Sequence, residues 1–222
     1  MHKEMIITID GPAGAGKSTV SKMLAKKLSY IYLDTGSLYR ALAYKGVKNK
    51  INFEDMEALN NLCSNISIVL KNSEGQMKVY VDGEDVGDKI RTEEIGLAAS
   101  KISAYAVVRQ RLLQLQREAG RNGGIVAEGR DMGSVVFPKA DFKFYLDADI
   151  KERIKRRHKE LLGKGNSSEL LAIQKDMETR DNQDSKREIA PLKPTSSSII
   201  IDSTKLSLQE VVDKIVRQMA NK

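Results

Sequence analysis

A glycine-rich turn between an apolar strand and an apolar helix constrains the fold of this chain most strongly. Met5–Ile9 reads MIITI, a β-branched and apolar run that is typical of a buried strand in a parallel sheet. From Lys17 the apolar residues follow a helical spacing, and the turn between the two segments, Gly11–Ser18, reads GPAGAGKS. The start of the chain therefore predicts a strand–turn–helix unit of an α/β protein.

The turn has the spacing G-x-x-x-x-G-K-[ST], which predicts a phosphate-binding loop rather than a βα turn that binds nothing. Glycines let successive N–H groups point inward, and the helix N-terminus adds free N–H groups and partial positive charge. We expect Lys17 to reach the β/γ-phosphates of a nucleotide and Ser18 to help hold Mg²⁺. The predicted nucleotide-binding residues are Gly11, Pro12, Ala13, Gly14, Ala15, Gly16, Lys17, Ser18 and Thr19.

The composition argues against several other classes of protein. The 222 residues suit one α/β domain with an insertion, and no apolar run approaches membrane length. The glycine-rich turn interrupts residues 1–20, so they do not form a signal peptide. The single cysteine, Cys63, cannot form an internal disulfide, and the presence of only two histidines, His2 and His158, argues against histidine-centred nucleophile or metalloprotease chemistry. We expect a monomer in the cytoplasm.

The positive net charge of +7 has two interpretations. One is nucleic-acid binding, and the other is a site that holds several phosphates of small molecules. Lys151–Lys159 carries six lysines and arginines against one glutamate beside the predicted nucleotide site. Aromatic residues make up only 5% of the chain and tryptophan is absent, so no stacking motif for nucleic acid accompanies the charge. The small-molecule interpretation is favoured.

Five strand candidates alternate with helices and predict a doubly wound parallel sheet. The strands are Met5–Ile9, Tyr30–Leu33, GIVAEG (124–129), FKFYLDA (142–148) and Ser198–Ile201. Alternating apolar residues at 66–90 predict an antiparallel meander, inserted between the helices. The first predicted helix begins at Lys17, and three more span Ser37 to Gly46, Glu54 to Cys63 and Thr92 to Arg121. Two helices flank the flexible tip GKGNSS (163–168), and the last helix begins at the capping box of Ser207 and Glu210.

Polar residues follow the predicted strands at their carboxyl ends, where ligands bind in open α/β sheets. We therefore expect Asp34, Arg40, Arg130 and Asp131 to converge over the glycine-rich loop. Asp34 has two possible roles, one as the cap of the next helix and one as a ligand of Mg²⁺ or of its water. The segments 98–109 and 179–187 add further polar groups to the same cleft.

These segments carry a resemblance to a known family. The loop, LDTGSLYR (33–40), EGRDMGSVVFP (128–138) and RDNQDSKREIAPL (180–192) together look like bacterial cytidylate kinases, from about Met5 to the C-terminus. The resemblance implies a P-loop NTPase three-layer sandwich with a central five-stranded parallel sheet, an antiparallel nucleoside-monophosphate-binding insertion and a helical lid. It also implies transfer of the ATP γ-phosphoryl group to CMP or dCMP with Mg²⁺. The implied division is a core (1–34, 106–150, 186–222), an acceptor-binding region (35–105) and a lid (151–185).

The resemblance also implies roles for individual residues. The implied catalytic residues are Lys17, Arg130, Arg153 and Arg157, the last two being lid arginines. Contacts to the acceptor phosphate are implied for Thr35, Arg40 and Arg130, and cytosine recognition for Ser100, Arg109 and Asp131. Positions near the acceptor sugar and phosphates are implied for Arg180, Asp184 and Arg187, and metal contacts are expected for Ser18 and Asp34.

Three other functions are compatible with the residues. A kinase could act on UMP, shikimate or a pantothenate-derived metabolite, which a coupled assay with each acceptor distinguishes. A basic P-loop NTPase could act on nucleic acid, and it would show salt-dependent binding. A nucleotide sensor is the third possibility, but it leaves the acceptor-side arginines without a purpose.

Overall fold

The computed structural model of this chain describes residues 4–163, 165 and 169–221. Every strand in this part of the chain belongs to one sheet, whose order is β3-β4-β2-β6-β1-β7-β8 with β5 beside β4. The strands are β1 (Ile6–Asp10), β2 (Ile31–Asp34), β3 (Ile68–Ser73), β4 (Gln76–Val81), β5 (Glu84–Asp85), β6 (Ile125–Gly129), β7 (Phe142–Asp147) and β8 (Ile199–Asp202).

The first strand lies at the centre of the parallel part of the sheet. It pairs in parallel with β6 on one side and with β7 on the other, so that Ile9 lies opposite both Glu128 and Phe144. Four of its five residues are buried, which explains the uninterrupted apolar run in the sequence. Because the strands are parallel, the carboxyl ends of β1, β2 and β6 lie at the same edge of the sheet.

Helices cover both faces of the parallel strands and produce three layers. On one face, α1 (Lys17–Leu28) and α8 (Leu208–Ala220) form a core with β1, β7 and β8. On the other face, a π-helical turn (Met132–Val136) and α5 (Ala106–Ala119) pack against β2 and β6. The predicted α/β architecture is confirmed.

The antiparallel segment is part of this sheet rather than a separate layer. The strands β3 and β4 pair in antiparallel fashion, and β4 joins β2 where Tyr32 lies opposite Gln76. The five predicted parallel strands correspond to β1, β2, β6, β7 and β8, and the predicted antiparallel insertion forms β3, β4 and β5, which extend the same sheet. This junction consists of one residue pair. The alternation of apolar residues predicts the hairpin itself, but it does not indicate which strand of the sheet the hairpin joins.

Three further helices pack on the antiparallel strands and form a second core. They are α2 (Thr35–Lys48), α3 (Met56–Asn65) and α4 (Glu93–Ile102). The predicted single helix from Thr92 to Arg121 was wrong, because it is divided at residues 103–105 into α4 and α5. The break is stabilised by Ser103, whose carbonyl oxygen accepts a hydrogen bond from Arg109 Nη1 at 3.2 Å. Such a tertiary contact is invisible in the local pattern.

The last pair of helices, α6 (Ile150–Gly163) and α7 (Leu170–Lys186), lies beside the glycine-rich loop. Their contact is a small apolar core that includes Ala13 of the loop together with Ile154, Leu161, Ile173 and Met177. Most of the predicted flexible tip GKGNSS lies outside the described residues. Within the described residues, no helix combines the length and apolarity needed to cross a bilayer.

The capping box at the start of α8 yields a stability prediction. Ser207 Oγ accepts from the Glu210 N–H at 3.3 Å, and Glu210 Oε2 accepts from the Ser207 N–H at 2.8 Å. We expect S207A to lower the free energy of unfolding by about 0.5–2 kcal/mol, because orphan N–H groups of the helix lose their partner. Denaturant unfolding measures this change. The control S64A, at an exposed position inside α3, should change it by less than about 0.5 kcal/mol.

Candidate active site

The glycine-rich turn forms a loop at the carboxyl end of β1 that leads directly into α1. A Cβ atom on Gly11 would lie 2.0 Å from the Leu146 carbonyl oxygen, so only glycine allows this approach to β7. Gly16 has a φ of 94° and is the N-cap of α1, whose first turn has neither an acidic residue nor a capping side chain. Its N–H groups are therefore available to an anion, with Ser18 and Thr19 exposed beside them.

Lys17 is buried at the base of this loop and its Nζ donates to the Pro12 carbonyl oxygen at 2.6 Å. Burial, followed by the positive charge of Arg130, lowers the pKa of Lys17 from 10.5 to about 7, although nearby carboxylates oppose the shift. The protein groups around Lys17 thus stabilise its ammonium form poorly. A phosphate chain would supply the missing negative charge.

A buried carboxylate lies beside the start of α1. Glu128, at the end of β6, accepts a hydrogen bond from the Tyr32 hydroxyl, and the Ser18 side chain interacts with both groups. Burial raises the pKa of Glu128, and the neighbouring charge of Asp34 raises it further. These oxygen atoms are of the type that Mg²⁺ prefers, since this ion is held by one or two carboxylates, hydroxyl groups, waters and substrate phosphates.

Asp34 is already engaged by protein groups. One carboxylate oxygen accepts the Ser37 N–H at 3.0 Å as the cap of α2, and the other pairs with Arg40 Nη2 at 2.8 Å. Asp34 therefore lies at this edge of the sheet, as expected, and its contacts show the capping role that the sequence analysis considered. Glu128 is the carboxylate that interacts with Ser18.

A second group of charged residues surrounds Asp131, which lies two residues after the end of β6. Asp131 forms a buried ion pair with Arg109 Nη2, and Arg187 Nη2 lies 3.9 Å from its other oxygen. The Arg109 guanidinium also lies over the Tyr39 ring, 5.7 Å from its centroid. Burial raises the pKa of Asp131, while the two arginines oppose that rise. The arrangement offers a planar, donor-rich and acceptor-rich surface of the kind that reads a base edge.

Asp184 connects this group to the rest of the site from α7. Its Oδ2 accepts from Arg130 Nε at 2.7 Å, and its Oδ1 accepts from the Ser100 hydroxyl at 3.2 Å. Burial raises the pKa of Asp184, but Arg130, together with Arg187 and Arg180, outweighs this effect and holds the pKa below its ordinary value. Asp184 is therefore an anion that joins α4, α7 and the segment after β6.

Arginines from four elements converge between the loop and Asp131. Burial lowers the pKa of Arg180 to about 10, and the positive charges of Arg130, Arg40 and Arg157 contribute to the shift. The buried Nε atoms of Arg40, Arg157 and Arg180 have no hydrogen-bond partner in the described part of the chain. Donors left in this state indicate a site for an anionic ligand. This arginine cluster, formed by Arg40, Arg130, Arg157 and Arg180, adjoins Lys17 through Arg130.

Two of the expected site residues face protein groups instead of the cleft. Thr35 is fully buried, and its hydroxyl donates to the Glu128 carbonyl oxygen at 2.6 Å. Arg153 is also buried, with Nε donating to the Ala148 carbonyl oxygen at 2.9 Å and Nη1 to the Ala13 carbonyl oxygen at 3.0 Å. Their expected contacts to the phosphates stay predictions, which these interactions do not favour.

The sequence interpretation missed three acidic residues of the site, namely Asp10, Glu128 and Asp181. Asp10 accepts the N–H groups of Met132 and Gly133 at 2.8 Å each, and burial raises its pKa to about 6. Asp10 and Glu128 each lie at the carboxyl end of a buried strand, which is the signal that could have identified them. Asp181 interacts with the Ala13 N–H, and only the packing of α7 shows this.

Comparisons with known proteins identify the family. The family model described as cytidylate kinase matches residues 7–221. The chain belongs to the cytidylate kinase family. A cytidylate kinase of Geobacillus sp. (strain WCH70) is 47% identical over 216 residues, which cover 97% of this chain and 96% of that relative. A cytidylate kinase of Bacillus thuringiensis (strain Al Hakam) is 41% identical over the same shares of the two chains. The family resemblance of the sequence motifs is confirmed.

Solved structures with low sequence identity support the fold alone. A shikimate kinase from Bacteroides thetaiotaomicron has a TM-score of 0.50 and 10% identity, and the match covers 97% of this chain and 98% of that one. An uncharacterized protein from Eubacterium ventriosum has a TM-score of 0.55 and 11% identity, with 99% and 100% covered. The kinase-type α/β fold is therefore shared outside the cytidylate kinase family.

The pKa of Lys17 predicts a trade-off between stability and activity in this family member. Because the pKa is lowered from 10.5 to about 7, the folded state binds fewer protons than the unfolded state between these values, and stability rises with pH there. Below about pH 7 Lys17 is charged in both the folded and the unfolded state, and its burial then lowers the free energy of unfolding by the largest amount. We expect K17M to raise the free energy of unfolding by about 0.5–2 kcal/mol at pH 7 while phosphoryl transfer is lost.

Denaturant unfolding of both proteins between pH 6 and 10 measures this effect. The advantage of K17M should shrink as pH rises from about 7 towards 10.5, because the folded wild type then holds Lys17 without its proton and the proton kept by the unfolded state stabilises that state less as pH rises. A K17M protein that is less stable than the wild type at pH 7 would contradict the assigned burial cost.

Proposed function

We infer that this chain transfers the γ-phosphoryl group of ATP to CMP or dCMP and produces ADP and CDP or dCDP. The observation that carries this inference is the arginine cluster, whose unpartnered buried Nε atoms adjoin the phosphate-binding loop through Arg130 and Lys17. Two adjacent anion sites suit a reaction that brings two phosphate chains together. Membership of the cytidylate kinase family supports the same reaction.

Phosphoryl transfer depends on in-line positioning and on neutralisation of charge rather than on acid–base catalysis. Lys17 and the N–H groups at the start of α1 would hold the β- and γ-phosphates of ATP. Arg40, Arg130 and Arg180 would hold the acceptor phosphate, because planar guanidinium groups match phosphate oxygens in pairs. The low polarity of the buried site strengthens these interactions.

Cytosine recognition is proposed for Arg109 and Asp131, with Ser100 and Asp184 positioned beside them. Asp131 can accept from the exocyclic amine of cytosine, and the guanidinium groups of Arg109 and Arg187 can donate to N3 and O2. A ligand without matching groups would leave these buried residues unpaired, at about 1–3 kcal/mol for each group. The proposed specificity thus rests on residues that also form the buried ion pairs of this site.

Mg²⁺ is proposed to bind near Ser18, where it would neutralise phosphate charge when it is bound. Glu128 is the carboxylate that we assign to this site in place of Asp34, because Glu128 interacts with Ser18 and Asp34 is held by Ser37 and Arg40. Arg157 is proposed to exchange its pairing with Glu93 for a phosphate when the helices α6 and α7 close over the nucleotides. The division into core, acceptor-binding region and lid, a monomeric state and a cytoplasmic location are also proposed.

A coupled assay that measures ADP formation tests the reaction. ATP with Mg²⁺ is combined separately with CMP, dCMP, UMP, AMP or shikimate, and nucleic acid is added in one further reaction. We expect high kcat/KM for CMP or dCMP and no stimulation by nucleic acid. A preference for UMP or shikimate would assign the chain a different acceptor, and stimulation by nucleic acid would assign it a different class.

Two arginines on α5 provide a matched test of cytosine recognition. Arg109 faces Asp131, whereas Arg111 donates to the Cys63 and Ile66 carbonyl oxygens outside the site. We expect R109K to raise the KM for CMP at least about tenfold and the KM for ATP less than about twofold, because lysine keeps the charge but loses the planar fork. R111K should leave both values near those of the wild type. Equal effects on CMP and ATP in R109K would contradict the assignment.

A further inference from the structure

The helices α6 and α7 both bind the phosphate-binding loop at Ala13. The Ala13 N–H donates to Asp181 Oδ1 at 3.4 Å, and the Ala13 carbonyl oxygen accepts from Arg153 Nη1 at 3.0 Å. The same Arg153 nitrogen pairs with Asp181 Oδ2, which closes a ring of interactions. We name this group of Ala13, Arg153 and Asp181 the Ala13 clamp.

Packing around the Ala13 clamp brings α7 into direct contact with the loop. Arg153 is buried, and its Nε donates to the Ala148 carbonyl oxygen, so its side chain is fixed at both ends. A Cβ atom on Gly14 would lie 2.8 Å from the Met177 Cε atom and 3.0 Å from the Arg153 carbonyl oxygen. The loop and the two helices are therefore in direct contact.

The same helix carries residues of the acceptor site. Arg180 belongs to the arginine cluster, and Asp184 binds Arg130 and Ser100. Residues 181 and 184 are three positions apart and lie on neighbouring parts of one helix face. A single helix thus contacts the loop through Asp181 and the acceptor side through Asp184, with Arg180 next to Asp181.

We propose that Asp181 is a positioning residue that couples the donor and acceptor sites through α7. Through the Ala13 clamp, a nucleotide in the loop would favour the position of α7 in which Arg180 and Asp184 are placed for the acceptor. This inference rests on the proposed function. Asp181 acts through Ala13 and Arg153, so its loss removes the coupling while every group proposed to hold CMP is kept. Coupling of this kind is reciprocal between the two ligands.

Calorimetric titration of CMP, with and without a non-hydrolysable ATP analogue and Mg²⁺, measures the coupling. In the wild type we expect the analogue to tighten CMP binding by a factor within about 5–150, the usual range for coupled sites. In D181N this factor should fall to below about two, while the Kd for CMP alone changes less than about threefold. The KM for CMP at saturating ATP should rise by the factor that is lost.

The matched control is D176N, which removes the same charge from the same helix. It should keep the wild-type factor. R153Q removes the other side of the Ala13 clamp and should cause the same loss as D181N, and the double variant D181N/R153Q should lose little more, since the two residues act as a unit. Thermal unfolding of each variant verifies that it is folded.

Several results would overturn the coupling role. The first is a wild type in which the analogue does not tighten CMP binding. The second is an unchanged tightening factor in D181N or in R153Q, or an equal loss of this factor in D176N. The third is a loss of CMP binding by D181N in the absence of the analogue. The last result would mean that Asp181 supports the acceptor site itself. A wild type that phosphorylates CMP while D181N keeps its coupling refutes the clamp alone. A wild type that does not phosphorylate CMP refutes the proposed function instead.

Discussion

The pairing of opposite charges buried at one edge of the sheet is the interaction on which the rest of this structure depends. Removal of a carboxylate or a guanidinium group from water costs several kcal/mol unless a partner is close. Asp131 with Arg109 and Asp184 with Arg130 meet this condition. Arg180 and Lys17 meet it poorly, and their lowered pKa values express the remaining cost. An anionic ligand would offset this cost, so its binding to these groups would be favourable.

The central strand determines where these charges meet. The strand β1 ends in Asp10, which holds the N–H groups of Met132 and Gly133, and it continues into the phosphate-binding loop. Asp10 therefore fixes the position of the glycine-rich loop relative to the segment that contains Arg130 and Asp131. A reaction between two bound phosphate chains requires this kind of fixed spacing.

The helices beside the loop add a second connection between the two sides of the site. The Ala13 clamp holds α6 and α7 on the loop, and Arg157 on α6 pairs with Glu93 on α4. Water competes with any phosphoryl acceptor, so a site of this type benefits when its arginines are assembled by the substrates themselves. Salt bridges between helices suit this purpose, because phosphate oxygens can replace carboxylates as their partners.

The α/β class and the family could be predicted from the sequence, because they depend on local spacing and on specific motifs. The sequence also indicated that Asp34, Arg40, Arg130 and Asp131 lie at one sheet edge, since carboxyl ends of parallel strands meet there. Which side chains face the cleft could not be predicted, because it depends on contacts between distant parts of the chain. The junction of β4 with β2, the break between α4 and α5, and the contact of Asp181 with Ala13 each join residues that are distant in sequence. No local periodicity encodes such contacts, so the sequence could not distinguish Arg153, which protein groups hold, from Arg40 and Arg180, whose Nε atoms have no partner in the described part of the chain.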